Sequence, residues 1–170
     1  MKKRFIALLV SVVMLFSFLG FTTSAEVDIG IPSSGVPSPY PDYAEGLSNS
    51  GNGDVSARAV GLINAYYIRL YLTDSNVITA DVATSGTKVM ALVGVKNFRV
   101  QRWVNDQWQT YISFNSLGKN KSTHSFSYDT PNLPSGYYYR FTGDHYVKEK
   151  GWFFPKSQTI NNVTEYIYIA

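Results

Sequence analysis

From Ala57 onward the chain alternates apolar and polar positions in short runs separated by turn residues, and no stretch keeps a 3.6-residue period over three turns. Period two is the mark of strands buried on one face. In Tyr66–Thr73, residues Ile68, Leu70 and Leu72 share a face opposite Tyr67, Arg69 and Tyr71. Ile78, Ala80 and Val82 align in Val77–Ala83, and Val89–Val95 is apolar on both faces, as a covered central strand would be, with a short buried helix as the alternative. Tyr137–Lys148 sets Tyr137, Tyr139, Phe141 and Val147 on one side. A last strand near Val163–Ile169 points Val163, Ile167 and Ile169 inward, with Tyr166 and Tyr168 outward. About eight such strands predict an all-β, antiparallel two-sheet sandwich of the immunoglobulin or fibronectin type, with an open β-barrel as the alternative.

One hairpin carries a functional expectation. Phe98–Val104 and Trp108–Phe114 flank Asn105-Asp106-Gln107. A loop of Asn105-Asp106 alone would set Trp103 opposite Trp108 and mix apolar with charged residues on each face. A three-residue loop pairs Val104 with Trp108, Val100 with Ile112 and Phe98 with Phe114, which collects the apolar set on one side. That register predicts a core Trp108 and an exposed Trp103. Trp103 then lies beside Tyr111, Arg99, Gln101 and Gln109, a polar aromatic face suited to stacking on sugar rings or anchoring a partner.

Two N-terminal segments stand apart from this pattern. Lys2, Lys3 and Arg4 precede an apolar run from Phe5 to Phe21, and Thr23-Ser24-Ala25 supplies small residues for cleavage. Residues 1–25 therefore predict a secretory signal peptide, cut after Ala25, with no stable membrane span afterwards; the rival reading is an uncleaved membrane anchor, for which the apolar run is at the short limit. Residues 26–57 predict a linker, since Pro32, Pro37, Pro39 and Pro41 oppose regular pairing and Ser48–Gly53 lacks apolar surface. The domain then covers 58–170. Asn49, Asn52 and Asp54 have the spacing of a calcium loop without its acids.

Charge changes once the leader is set aside. The chain carries 15 Lys+Arg and 12 Asp+Glu, and the leader holds three of the bases, which leaves 12 against 12. This balance is no footprint for nucleic acid. Residues 26–57 hold Glu26, Asp28, Asp42, Glu45 and Asp54 and no base, so the domain is basic, and an anionic envelope polymer or the acidic tail itself would suit it.

Ile78-Thr79-Ala80, the Thr84-Ser85-Gly86-Thr87 turn, Val93-Gly94-Val95, Val100-Gln101-Arg102-Trp103 with Trp108, Gly136–Arg140 leading to Gly143-Asp144-His145-Tyr146, and Ile167-Tyr168-Ile169 follow one another in order. Over about residues 60–169 the chain thereby resembles a family of small secreted proteins of Gram-positive bacteria classed only as a domain of unknown function. The resemblance implies a leader, a short tail and one all-β domain, and no activity or catalytic residue. Trp152-Phe153-Phe154-Pro155 departs from the polar segment expected there.

Little in the chain points to catalysis. There is no cysteine, and His124 and His145 are the two histidines. No Gly-x-Ser-x-Gly elbow is present, and Asp144 and His145, being adjacent on a strand, face opposite ways. His145 shares the parity of Phe141 and Val147, which predicts a core-edge histidine donating to a backbone carbonyl, unless Gly143 marks a bulge that reverses it. The expectation is a secreted, non-enzymatic protein with no cofactor or metal. It would bind a cell-wall polysaccharide or a surface protein through Trp103, Tyr111, Arg99, Gln101 and Gln109. The alternative is a membrane-active or toxin-like protein acting through Trp152, Phe153 and Phe154, three rings that either plug the end of the fold or project as an anchor for a membrane or partner.

Overall fold

A computed structural model describes residues 30–46 and 61–170. The predicted signal peptide, the Ser48–Gly53 run and the Asn49–Asp54 spacing lie outside the described residues. The strands are β1 (Tyr43–Glu45), β2 (Ile63–Asp74), β3 (Val77–Val104), β4 (Gln107–Asp129), β5 (Tyr137–Lys148), β6 (Ser157–Val163) and β7 (Ile167–Ile169), with no helix among the described residues. All seven belong to one antiparallel sheet curled into a half-barrel.

The curl comes from a long bent hairpin. Along one edge β3 pairs with β4 from Thr79 to Val104, interrupted only at its bulges. Its other edge takes β2 over Val77–Gly86 and β5 over Leu92–Arg102. The separately predicted runs Val77–Ala83, Val89–Val95 and Phe98–Val104 are thus one strand, bent without losing its partner. The bends are bulges. Ser85 faces Thr123 and Met90 faces Lys121, so Gly86–Val89 arches out. A second lies at Asn97, whose φ of 49° few residue types tolerate as easily as Asn. Bulges bend a strand and raise its twist, so side chains from both halves of the hairpin meet in one core. Phe98 at the centre touches Phe114, Phe126 and Phe141 with ring centroids 5.0–5.7 Å apart. The predicted inward residues Ile68, Leu70, Ile78, Ala80, Val82, Tyr139, Phe141, Ile167 and Ile169 line this core. A smaller cluster of Ile63, Tyr66, Met90, Val93 and Val147 fills the other end.

The predicted hairpin register is corrected. Asn105 and Asp106 form a two-residue loop, both with positive φ (51° and 58°), and Trp103 faces Trp108. Two successive left-handed residues are what a type I′ hairpin turn demands, and Asn and Asp meet that demand more easily than Gln107 would. Farther along, Val100 faces Ile112 and Phe98 faces Phe114, as the apolar pattern predicts. The register shift between Val100 and Gln101 leaves Tyr111 as the extra residue. Turn chemistry governs the pairing near the loop, core burial governs it beyond, and the bulge lets both be satisfied.

Residues 30–46, expected as part of a linker, pack on the sheet. Tyr43–Glu45 pairs with Arg69–Tyr71, Ala44 is fully buried, and Glu45 Oε1 lies 3.5 Å from Arg69 Nε. The prolines do not prevent this, because the residues beside them make the bonds. Ser38 N donates to Tyr166 O and Tyr166 N donates to Val36 O, on either side of Pro37.

Candidate functional site

The five hairpin residues do not form one exposed face. Trp103 is 2% exposed, so the surface built around it is absent. Gln101 is buried beside it, and its Oε1 accepts a 2.9 Å bond from Arg140 Nε. Tyr111 is exposed, but on the bulge, 5.4 Å from the Arg102 guanidinium, and Gln109 pairs with Arg102. Arg99 is half-buried between Ser113 and Thr142. Trp108, expected in the core, is only half-buried. It packs edge-on against Trp103 at 5.2 Å and carries the Arg140 guanidinium 4.3 Å from its ring. Burial lowers the Arg140 pKa to about 10, which leaves it charged at neutral pH.

The N-terminal segment covers this ladder. Trp108 Nε1 donates to Ser34 O at 2.9 Å, and Trp108 lies 5.8 Å from Tyr166. Gly35 crosses with φ 99°, where a Cβ would stand 3.4 Å from the Tyr166 ring. Tyr166, predicted to point to solvent, does leave the core face, yet it is only 6% exposed beneath this cover.

His145 lies on the inward face of β5 as parity predicts, fully buried and 4.8 Å from the Tyr66 ring. The bulge is on β3 opposite, so parity through Gly143 is kept. Its Nδ1 is 2.7 Å from Thr84 Oγ1, and that hydroxyl donates to Gly94 O at 3.0 Å. Since the one hydroxyl proton goes to Gly94, Nδ1 carries its own proton and donates to Thr84. The expected backbone carbonyl is thus reached through a threonine. Nε2 is buried without a partner. Burial pushes the His145 pKa down to about 3, against a smaller upward pull from Asp144, so the ring is neutral. Asp144 faces the other way and accepts from Asn97 and Asn161 at 2.8 Å each. Burial would raise its pKa, and these two donors with Arg99 outweigh that and lower it. His124 Nε2 is 2.8 Å from Ser116 Oγ, and burial and Lys121 lower its pKa. Its Nδ1 has no carboxylate partner among the described residues, so the orienting third member of a hydrolytic triad is missing from this pair.

The most exposed aromatics lie between β5 and β6. The loop is pinned at its base, where Glu149 N donates to Lys156 O at 2.9 Å. Above it Trp152, Phe153 and Phe154 are 91%, 80% and 95% exposed, so the plug expected as one option is overturned and the rings project. The Gly86–Val89 arch of β3 reaches the same end, where Lys88 Nζ meets Glu149 Oε1 at 2.7 Å and Val89 is exposed. That hydrogen bond and charge hold the Glu149 carboxyl below its usual range. Lys148 and Lys119 flank Leu92 from both sides, Lys121 pairs with Met90, and Lys150 and Lys156 stand in or beside the loop. Glu149 is the one carboxylate in the stretches 86–92, 119–121 and 148–156. The anomaly of Trp-Phe-Phe-Pro was visible in the sequence. Its lysine collar was not, since β3, β4 and β5 bring it together from distant positions.

Among the described residues no three His, Asp or Glu side chains gather into a metal-binding group, and no helix is long and apolar enough to cross a membrane. No protein family, curated protein or solved structure matches the chain. The resemblance noted above therefore rests on its own residues.

Proposed function

We propose that this is a secreted, non-enzymatic attachment protein of Gram-positive type, which holds to the cell envelope through the aromatic tip between β5 and β6. The leader supports export, through its Lys2–Arg4 start, its apolar run and its small residues at Ala25. In this reading the two halves of the bent hairpin serve as the layers of a sandwich-like scaffold whose task is to hold one loop out. The observation that carries the proposal is the exposure of Trp152, Phe153 and Phe154, at 80% or more each, on a loop whose base is hydrogen-bonded. Large contiguous apolar surface left in water marks an interaction site. A carbohydrate face centred on Trp103 loses its support, because that indole is sealed.

The test uses protein recovered from the medium of an expressing host and added to isolated cell envelopes. W152A/F153A/F154A should lose at least about tenfold in retention while melting as the parent does, because exposed side chains add little to stability. Equal retention of the triple variant would refute attachment through the tip.

A further inference from the structure

We propose that the surface taken by the tip is an anionic lipid bilayer, which the three rings enter to interfacial depth while the surrounding lysines meet lipid phosphates. This rests on the tip being the attachment site, and it names what the tip attaches to.

Three features select a bilayer over a sugar or a protein. First, Gly151–Lys156 contains no carboxylate or amide side chain. A ring that stacks on a sugar is ordinarily accompanied by polar side chains that bond its hydroxyls, and none stands within this loop. Second, the rings are consecutive and all three are exposed. Together they form a projecting wedge, and a fluid apolar phase accepts a wedge without needing a matching pocket. Tryptophan in particular favours the membrane–water boundary, where its apolar body and polar N–H are both accommodated.

Third, the charges are arranged for a negatively charged plane. Lys148, Lys150 and Lys156 flank the loop, and Lys119 and Lys121 lie on the neighbouring strand β4. Long lysine stems extend along apolar surface while the ammonium stays in water, so a collar set behind three inserted rings falls at headgroup level. Glu149, which would oppose an anionic surface, is matched by Lys88 at 2.7 Å. Attraction of juxtamembrane lysines to anionic lipid is additive and short-ranged. Contact of this kind is peripheral and reversible, because three rings bury far less than a spanning segment.

The exported chain is mixed with large unilamellar vesicles of phosphatidylcholine alone or with about one third phosphatidylglycerol, and bound protein is measured by sedimentation. Binding should be at least about tenfold tighter on the anionic vesicles at low salt, and the difference should collapse near 1 M salt, where screening is complete within a few ångströms. Trp152 emission should shift to the blue and be quenched by lipids brominated on the acyl chains, with W152F removing that signal. W152A/F153A/F154A should lose the binding, and K150Q/K156Q should lose most of the preference for anionic lipid while keeping the fold. Unchanged vesicle binding by the triple variant would overturn the inference, as would retention of the parent on envelopes through the tip with no binding to anionic vesicles. In that second outcome attachment through the tip survives and the bilayer does not. If neither envelopes nor vesicles retain the parent, both proposals fail.

Discussion

Trp103 and Trp152 belong to the same residue type and meet opposite fates. Trp103 stands on a long paired strand, and chain from the far N-terminal side and from Tyr166 lies over its neighbours, leaving it 2% exposed. Trp152 stands in a loop whose ends are tied together by the Glu149–Lys156 bond, and it remains 91% exposed with two phenylalanines beside it. Burial of a large apolar side chain stabilises by about 1.5–3 kcal/mol, so the tip forgoes that gain three times over within a few residues. The difference teaches that exposure of an aromatic is decided by what the rest of the chain can bring to it. The alternation of its own strand decides only which way it points.

The contrast can be broken or sharpened by experiment. Trp103→Ala should have the largest effect, lowering stability by about 3–5 kcal/mol in urea unfolding, the usual cost of emptying a large aromatic site. A loss under about 1 kcal/mol would mean that the cover does not seal the indole. Acid is expected to act next, through the second sealed ring system. His145 has a folded pKa of about 3, below the ordinary 6.5 of the unfolded chain. Between those values the unfolded state binds the extra proton, so stability is full above pH 6.5 and falls as pH drops toward 3. The slope should approach about 1.4 kcal/mol per pH unit in that window. His145→Gln should flatten it, and an unchanged profile in that variant would show the acid sensitivity to arise elsewhere. Trp108→Phe removes the bond to Ser34 O while keeping a ring, and should cost about 0.5–1.5 kcal/mol. The Ser38 and Tyr166 amides should exchange hydrogen faster as the cover loosens, and unaltered exchange would show that this bond does not hold it. Smallest of all, W152A/F153A/F154A should move stability by no more than about 0.5 kcal/mol, and a larger loss would reveal packing that these rings are not seen to make.

Much of the scaffold was legible because period two is a strong signal wherever one face is dry. β5 has the bounds predicted for it, Tyr137–Lys148, and the inward sets of β2, the first half of β3 and β7 are those read from alternation. The number of strands was not legible, since the bulges at Gly86–Val89 and Asn97 bend β3 without ending it, whereas a turn in sequence looks like an end. The hairpin register failed for a related reason. Each candidate pairing was right at one end, and only an inserted residue, Tyr111, reconciles them. Prolines near β1 concealed a strand because a proline between bonding residues costs no ladder bond. For the site, the three rings between β5 and β6 were evident as an oddity. Their projection, and the lysines around them, depend on tertiary placement that local pattern does not encode.

The docking of Val36–Ser38 on Tyr166 joins the opening of the folded body to its last few residues. During synthesis the early segment emerges first and must wait for nearly the whole chain before its partner exists. The β3–β4 hairpin needs only its own Asn105-Asp106 turn to begin zipping, and local closure of that kind is fast. Assembly should therefore run from the middle outward, with the N-terminal clasp fastening last. A chain shortened by even the final few residues would keep its central ribbon yet leave Trp103 and Trp108 uncovered, a sticky intermediate rather than a finished molecule.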